Sequence, residues 1–293
     1  MISSAIFKII SLLRIKQWVK NLFIFFPLFF AGEFTHPGLI LNATITFFAF
    51  CLTASGIYVF NDFIDAEKDR FHPKKSQRPL SQGSFNKSFI VLLIIALLVL
   101  GLWTAWIAGM QVFWIAITYV LVNIFYNLYA KRVVLLDVFF VAMGFQFRIW
   151  SGSAACDIIP SVWLQLCVFL LALFLGFAKR RYEIATLKDK ASEHRSVLAH
   201  YTAYLLDQII IICSTLAIVF YGLYTISSDI VKRIGNYNMA YTLVFVIYGI
   251  FRYLYLIHVR KMGDEPGELL FLDKPLFFNI FLWIASIGLI LYL

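Results

Sequence analysis

Long apolar runs alternate with short polar connections along the whole chain. A bilayer-spanning helix needs about 20 largely apolar residues. Runs of that order lie at residues 15–32, 38–60, 88–108, 111–130, 133–151, 160–180, 201–223, 237–258 and 275–292. The pattern predicts an all-α polytopic membrane protein with nine transmembrane helices. Lys16 and Lys20 stand at the start of the first run, where long side chains can reach headgroups while their stems stay in lipid. Two polar stretches, 61–87 and 181–200, exceed the other connections in length, and no hydrophilic domain is left over. Residues 1–293 are therefore expected to form a single transmembrane domain with these two stretches as its cytoplasmic loops.

Charge placement supports the alternation. Of the 25 Lys and Arg, all but Arg148, Lys232, Arg233 and Arg252 fall at the N-terminus or near 61–87, 131–132, 179–195 and 259–274. With nine spans, these connections share one side. Cations flanking spans collect on the cytoplasmic side, which places the N-terminus in the cytoplasm and the C-terminus outside a cytoplasmic (inner) membrane. The composition agrees, with 14% charged residues against roughly 25% in soluble domains. Lys8 interrupts the first apolar residues, so a cleavable signal is not expected. A net charge of +9 suits anionic headgroups or phosphorylated substrates. Nucleic acid is not an expected partner, because most residues are committed to the membrane. Cys51, Cys156, Cys167 and Cys213 lack metal-ligand spacing and read as small buried residues. The five histidines form no HExxH or triad pattern, and Walker, Rossmann and serine-elbow motifs are missing.

The densest chemistry follows the second run. Asp62, Asp65 and Asp69 are three and four residues apart, and Asn61 is one turn before Asp65. If the helix continues, all four share a face toward the cytoplasmic mouth. Close carboxylates repel, and a divalent cation relieves the repulsion. Oxygen donors at this density suit magnesium, or manganese, rather than zinc, which marks the four as candidate metal ligands at a diphosphate site. The competing reading is a solvated acidic patch balanced by Lys68 and Arg70. Arg70, Lys74, Lys75 and Arg78 add phosphate-binding capacity; plain topological charge competes for Lys74 and Lys75. Pro73, Pro79 and Gly83 break any continuous helix beyond the acids.

Polar residues gather at other inner junctions too. Lys16 and Lys20 share one helical face at a spacing of four, and Gln17 and Asn21 an adjacent one, which points to contact with a charged ligand; Trp18 reads as an interface anchor. Asn123, Tyr126 and Asn127 approach the next inner junction, followed by Lys131 and Arg132. Asp137 lies one turn into the fifth run, with Lys131 or Arg132 as its expected partner. Arg148, in the same run, and Arg252 are expected to face a cavity or to pair internally, with Gln146 as a polar neighbour of Arg148. Lys179, Arg180, Tyr182 and Glu183 form a second cluster. There the lysine and arginine suit phosphate and the glutamate suits a metal or a hydroxyl; an ordinary charged helix end competes.

The run NDFIDAEKDR resembles the NDxxDxxxD signature of UbiA-superfamily intramembrane prenyltransferases. Within that superfamily the chain is most similar to the decaprenyl-phosphate phosphoribosyltransferase branch. The likeness is carried by RIKQWVKNLFIFFPLFF (14–30), NDFIDAEKDRFHPKKSQRPLSQG (61–83), LLDVFFVAMGFQFRIWSG (135–152), AKRRYEI (178–184), FRYLYL (251–256) and GELLFLDKPL (267–276). The resemblance implies nine helices around a cavity that opens to the cytoplasm, and magnesium near Asn61, Asp62, Asp65 and Asp69. It implies transfer of 5-phosphoribosyl from phosphoribosyl pyrophosphate to a polyprenyl monophosphate, releasing diphosphate. Catalytic roles fall on Asp62, Asp65, Asp69 and Glu183. Substrate binding falls on Lys16, Gln17, Lys20, Asn21, Arg70, Lys74, Arg78, Tyr126, Asn127, Lys131, Lys179, Arg180 and Tyr182. Aromatic prenyl transfer is the first alternative, but AKRRYEI, with Glu183 as its one acid, departs from the second aspartate motif of those enzymes. A transporter is the alternative from another class; neither clear inverted repeats nor broken spans support it.

Overall fold

The computed structural model describes residues 9–70, 75–83, 85–187, 196–263 and 266–293. Among them every regular element is helical. The α-helices are α1 (Phe26–Phe30), α2 (Pro37–Asp69), α3 (Lys87–Ala108), α4 (Met110–Leu128), α5 (Leu136–Cys156), α6 (Val162–Leu187), α7 (Ala203–Thr225), α8 (Ser228–Ile234), α9 (Leu243–His258), α10 (Pro266–Leu272) and α11 (Lys274–Tyr292). Short 3-10 turns connect several of them. Asn86, Thr202 and Asp273 begin α3, α7 and α11 by accepting hydrogen bonds from the backbone N–H of Ser88, Leu205 and Leu276, which satisfies donors left open at a helix start.

Among the described residues seven helical segments are long and apolar enough to cross a membrane. They comprise most of α2, α3, α4, α6, α7, α9 with the turn before it, and α11, so the chain is an integral membrane protein. The nine expected spans include two segments of another kind. The first run is a 3-10 helix over Ile15–Phe25 followed by α1. The fifth is α5, 21 residues long, which carries Asp137 and Arg148 inside it. The expected loop boundary also shifts: α2 stays helical to Asp69, so residues 61–69 are its last turns.

The 3-10 form changes which side chains line up. At three residues per turn, i and i+3 eclipse, so Trp18 and Asn21 share a face. Trp18 Nε1 donates to Ser55 Oγ (3.0 Å) and Asn21 Nδ2 donates to Cys51 Sγ (3.1 Å), two acceptors one turn apart on α2. The paired faces expected from α-helical spacing, Lys16 with Lys20 and Gln17 with Asn21, are replaced by this register. Trp18 is thereby tied to α2 and is not simply an interface anchor.

The chain folds as two compact units. The first runs to Tyr129 and includes Phe147–Ile159. In it α2 lies along α3, and a Cβ at Gly101 would stand 2.9 Å from the Thr53 nitrogen and 3.1 Å from the Ala49 carbonyl. Glycine is what permits that approach. A cluster of Leu12, Val59, Leu80, Ile90, Ile94 and Leu97 packs beside it, while Leu92, Ile95 and Val99 face outward on α3. The second unit comprises Ala130–Gln146 and Pro160–Leu293. Here α6 lies along α7, and Phe174, Phe177, Leu206, Ile210, Tyr253 and Leu256 fill the core.

Candidate active site

The end of α2 carries the acidic motif of the first unit. Helical continuation to Asp69 places Asn61, Asp62, Asp65 and Asp69 on one element. Asp62 is 4% exposed, a depth at which a carboxylate needs a partner. It has two. Arg14 Nε donates to Asp62 Oδ2 at 3.2 Å, and its Nη2 donates to Oδ1. Arg78 Nη1 lies 2.9 Å from Asp62 Oδ1 and 2.7 Å from Asp69 Oδ2. Arg14 adopts φ 51°, ψ 46°, at the start of the 3-10 helix, the left-handed region that costs a β-carbon-bearing residue energy. Its guanidinium also lies 5.3 Å from the centre of the Tyr58 ring. Arg70 Nε donates to the Ser81 carbonyl (3.2 Å), which ties the end of α2 to the turn at residues 79–83; Gly83, at φ 67°, ends that turn. Lys74 lies outside the described residues.

This geometry bears on the metal reading. One guanidinium nitrogen sits between two carboxylate oxygens, so Asp62 and Asp69 converge on a single cationic position. Among the described residues no three His, Cys, Asp or Glu side chains converge as a ready cage. A pair of carboxylates with a neighbouring amide fits a hard cation that takes its remaining ligands from water and phosphate, as magnesium does.

A second buried polar group lies in the same unit. Arg148, 4% exposed, donates from Nε to Asn21 Oδ1 at 2.7 Å, and its Nη2 lies 3.4 Å from the Tyr119 hydroxyl. Asn21 thus joins α5 to α2 through Arg148 and Cys51. Asn127 donates to the Asn123 carbonyl (2.9 Å), and its buried Oδ1 has no hydrogen-bond partner among the described residues. Lys16 is exposed, whereas Gln17, Lys20, Tyr126 and Lys131 are half-buried.

In the second unit, Asp137 is fully buried. Its partner is neither Lys131 nor Arg132. Oδ2 accepts from Arg180 Nε at 2.6 Å, and Oδ1 accepts from the Tyr201 hydroxyl at 2.8 Å. The reason is burial: α5 turns Asp137 into the core beside α6, while Arg132 is exposed. Arg180 Nη1 also donates to Glu183 Oε2 at 2.9 Å. Lys179 and Tyr182 are half-buried on the same helix, and the Tyr182 ring packs on Gly263, where a Cβ would come within 3.0 Å. Gln146 donates to the Gln165 carbonyl (2.7 Å). Arg252 forms two hydrogen bonds with Asp273, at 3.0 and 2.8 Å. Arg181 pairs with Asp207 (2.8 Å).

Sequence reasoning missed Arg14, Tyr201, Asp207 and Asp273 as partners. Arg14 opens the RIKQWVKN segment, a signal available beforehand, but its contact with Asp62 spans 48 residues.

Fold and charged groups together define an all-helical integral membrane protein with a paired-carboxylate site at a helix end. Residues 21–283 match the family model for the UbiA prenyltransferase family, and the chain belongs to that family of membrane-embedded transferases. It is 30% identical to a decaprenyl-phosphate phosphoribosyltransferase from Mycolicibacterium smegmatis, over 97% of this chain and 92% of the relative. It is 28% identical to a protein of the same name from Corynebacterium glutamicum, over 97% and 86%. The fold is that of a UbiA homolog from Archaeoglobus fulgidus solved with GPP and Mg2+, with a TM-score of 0.75, 18% identity, and coverage of 98% of this chain and 100% of the other.

Proposed function

We propose that this protein transfers 5-phosphoribosyl from phosphoribosyl pyrophosphate to a polyprenyl monophosphate, with magnesium as cofactor. The observation that carries the reading is likeness along nearly the whole chain to relatives bearing the phosphoribosyltransferase name. The convergence of Asp62 and Asp69 on one cationic position supports it, and so does the AKRRYEI segment (178–184), in which Glu183 is the one acid.

In the reaction, an oxygen of the lipid phosphate forms a bond to the anomeric carbon. The bond from that carbon to the diphosphate breaks, and its electron pair leaves with the diphosphate. The nucleophile is already anionic, so no strong protein base is needed. Asn61, Asp62, Asp65 and Asp69 hold the divalent cation, whose chemistry when bound is neutralisation of diphosphate charge. Arg14, Lys16, Lys20, Arg70, Arg78 and Lys179 are assigned to phosphate oxygens, the arginines through their planar forks. Gln17, Tyr126 and Asn127 in the first unit, and Lys131 and Tyr182 in the second, are assigned to the substrates from their places at the inner junctions of the sequence. Glu183 is assigned to a ribose hydroxyl. The site faces the cytoplasm, with the N-terminus inside and the C-terminus outside; the one-sided distribution of cations supports this orientation.

The test supplies purified protein with magnesium, a polyprenyl phosphate and ribose-labelled phosphoribosyl pyrophosphate. The expected result is label in the lipid fraction. No label there, with transfer from a prenyl diphosphate to an aromatic acid instead, overturns the reading.

A further inference from the structure

The buried group around Asp137 does more than neutralise an arginine. Two carboxylates, Asp137 and Glu183, share the Arg180 guanidinium. Arg180 is 4% exposed and Asp137 is fully enclosed, while the Glu183 side chain remains 16% exposed. The group therefore runs from a sealed end to an accessible one. At the sealed end the Tyr201 hydroxyl donates to Asp137 and accepts from the Leu135 N–H at 2.7 Å. Leu135 has φ 67°, a conformation that costs leucine energy and persists when its surroundings hold it. The Tyr201 ring packs edge-on against Phe177, one turn before Arg180 on α6 (centroids 6.4 Å apart). Burial first, and then Asp137, pushes the Tyr201 hydroxyl up from its ordinary value, so it keeps the proton it donates.

A buried ion pair is a weak source of stability compared with well-packed apolar residues of similar volume. A guanidinium fixed at Nε by one carboxylate and presenting Nη1 to another is a rigid mount for the second carboxylate. We propose that Asp137 and Tyr201 are positioning residues that orient Arg180, and through it hold Glu183 in place to bind substrate. The proposal rests on the assignment of Glu183 to a substrate hydroxyl. Arg180 itself is then a positioning residue, held by Asp137 and holding Glu183.

The test is a double-mutant cycle on turnover. Tyr201→Phe keeps the ring against Phe177 and removes only the hydroxyl. It is expected to lower kcat/KM about tenfold, the loss that corresponds to roughly one weakened hydrogen bond to a charged group. Its melting temperature in detergent should stay within a few degrees of the wild type. In a Glu183→Gln background the same change should cost less than about twofold, because interacting residues are non-additive. Arg180→Lys keeps the charge, loses the fork, and should show the same coupling; it serves if Tyr201→Phe does not survive purification. Full additivity in both cycles overturns the proposal, as does undiminished turnover in Glu183→Gln. The cycle is measured on whichever donor the wild-type protein uses. Prenyl transfer without phosphoribosyl transfer thus overturns the functional reading separately from the positioning role.

Discussion

Asp62 concentrates the chemistry of the first unit. A carboxylate that is 4% exposed at a membrane-helix end is held by Arg14 and by Arg78, and Arg78 reaches on to Asp69. Removing one partner leaves a buried acceptor short of a donor, which costs about 1–3 kcal/mol. Arg14→Ala should therefore lower thermal stability in detergent as well as activity, and unfolding by heat with a turnover assay checks both. Asp69→Asn keeps the shape and removes one of the two charges that converge on Arg78. Turnover should fall by about a hundredfold, the scale of losing one electrostatic group from a reacting site, and magnesium should bind more weakly by calorimetry; wild-type magnesium affinity in that variant would contradict the ligand assignment. The motif at 61–69 was legible because its residues lie on one helix, where spacing alone sets their face. Arg14 was not, because only folding brings it across 48 residues to Asp62. Asp137 was misassigned for the same reason: its arginine lies 43 residues away on α6, while two nearer cations offered themselves along the chain.

Helices are where spacing predicts best, and the exceptions have local causes. The first apolar run reads as an α-helix by composition, yet it winds as a 3-10 helix, and the eclipsed pair Trp18 and Asn21 meets Ser55 and Cys51. No periodicity of apolar residues announces that register, because polar residues on one face pair with α2. A close approach is equally silent in sequence. A Cβ at Gly152 of α5 would collide with the Ile24 carbonyl, so Gly152→Ala should cost about 1–3 kcal/mol from overpacking. Gly288→Ala in α11 meets nothing within 4 Å and should leave the melting temperature unchanged or raise it; the two variants are compared in one melting experiment. Between α9 and α11, Arg252 holds the Asp273 carboxyl below the usual carboxylate range, with help from the Leu276 N–H. The folded state therefore releases the proton at lower pH than the unfolded chain, whose aspartate titrates near ~3.9. The stability this provides is full above that value and is lost as pH falls through the depressed one. The melting difference between wild type and Asp273→Asn should be complete at neutral pH and should close as the solution is taken below about pH 4.

At the scale of the whole molecule, membrane residence and helical class were plain from the apolar runs, since a bilayer admits few spanning structures. The number of spans was less plain. Among the described residues seven helices pass on length and apolarity, and the remaining two runs carry buried polar groups or change helix type. Those two runs hold Asn21, Asp137 and Arg148, so the departures from a simple hydrophobic pattern coincide with the polar groups of interest. The family follows from similarity across the chain; the proposed chemistry turns on which group leaves the donor and which joins the lipid. Two samples of phosphoribosyl pyrophosphate decide it, one labelled in the ribose and one in the β-phosphate, each incubated with purified protein, magnesium and a polyprenyl phosphate. The account predicts ribose label in the extracted lipid and β-phosphate label in water-soluble diphosphate. Ribose label left wholly in the aqueous phase, under conditions where the same preparation alkylates an aromatic acceptor, would contradict it.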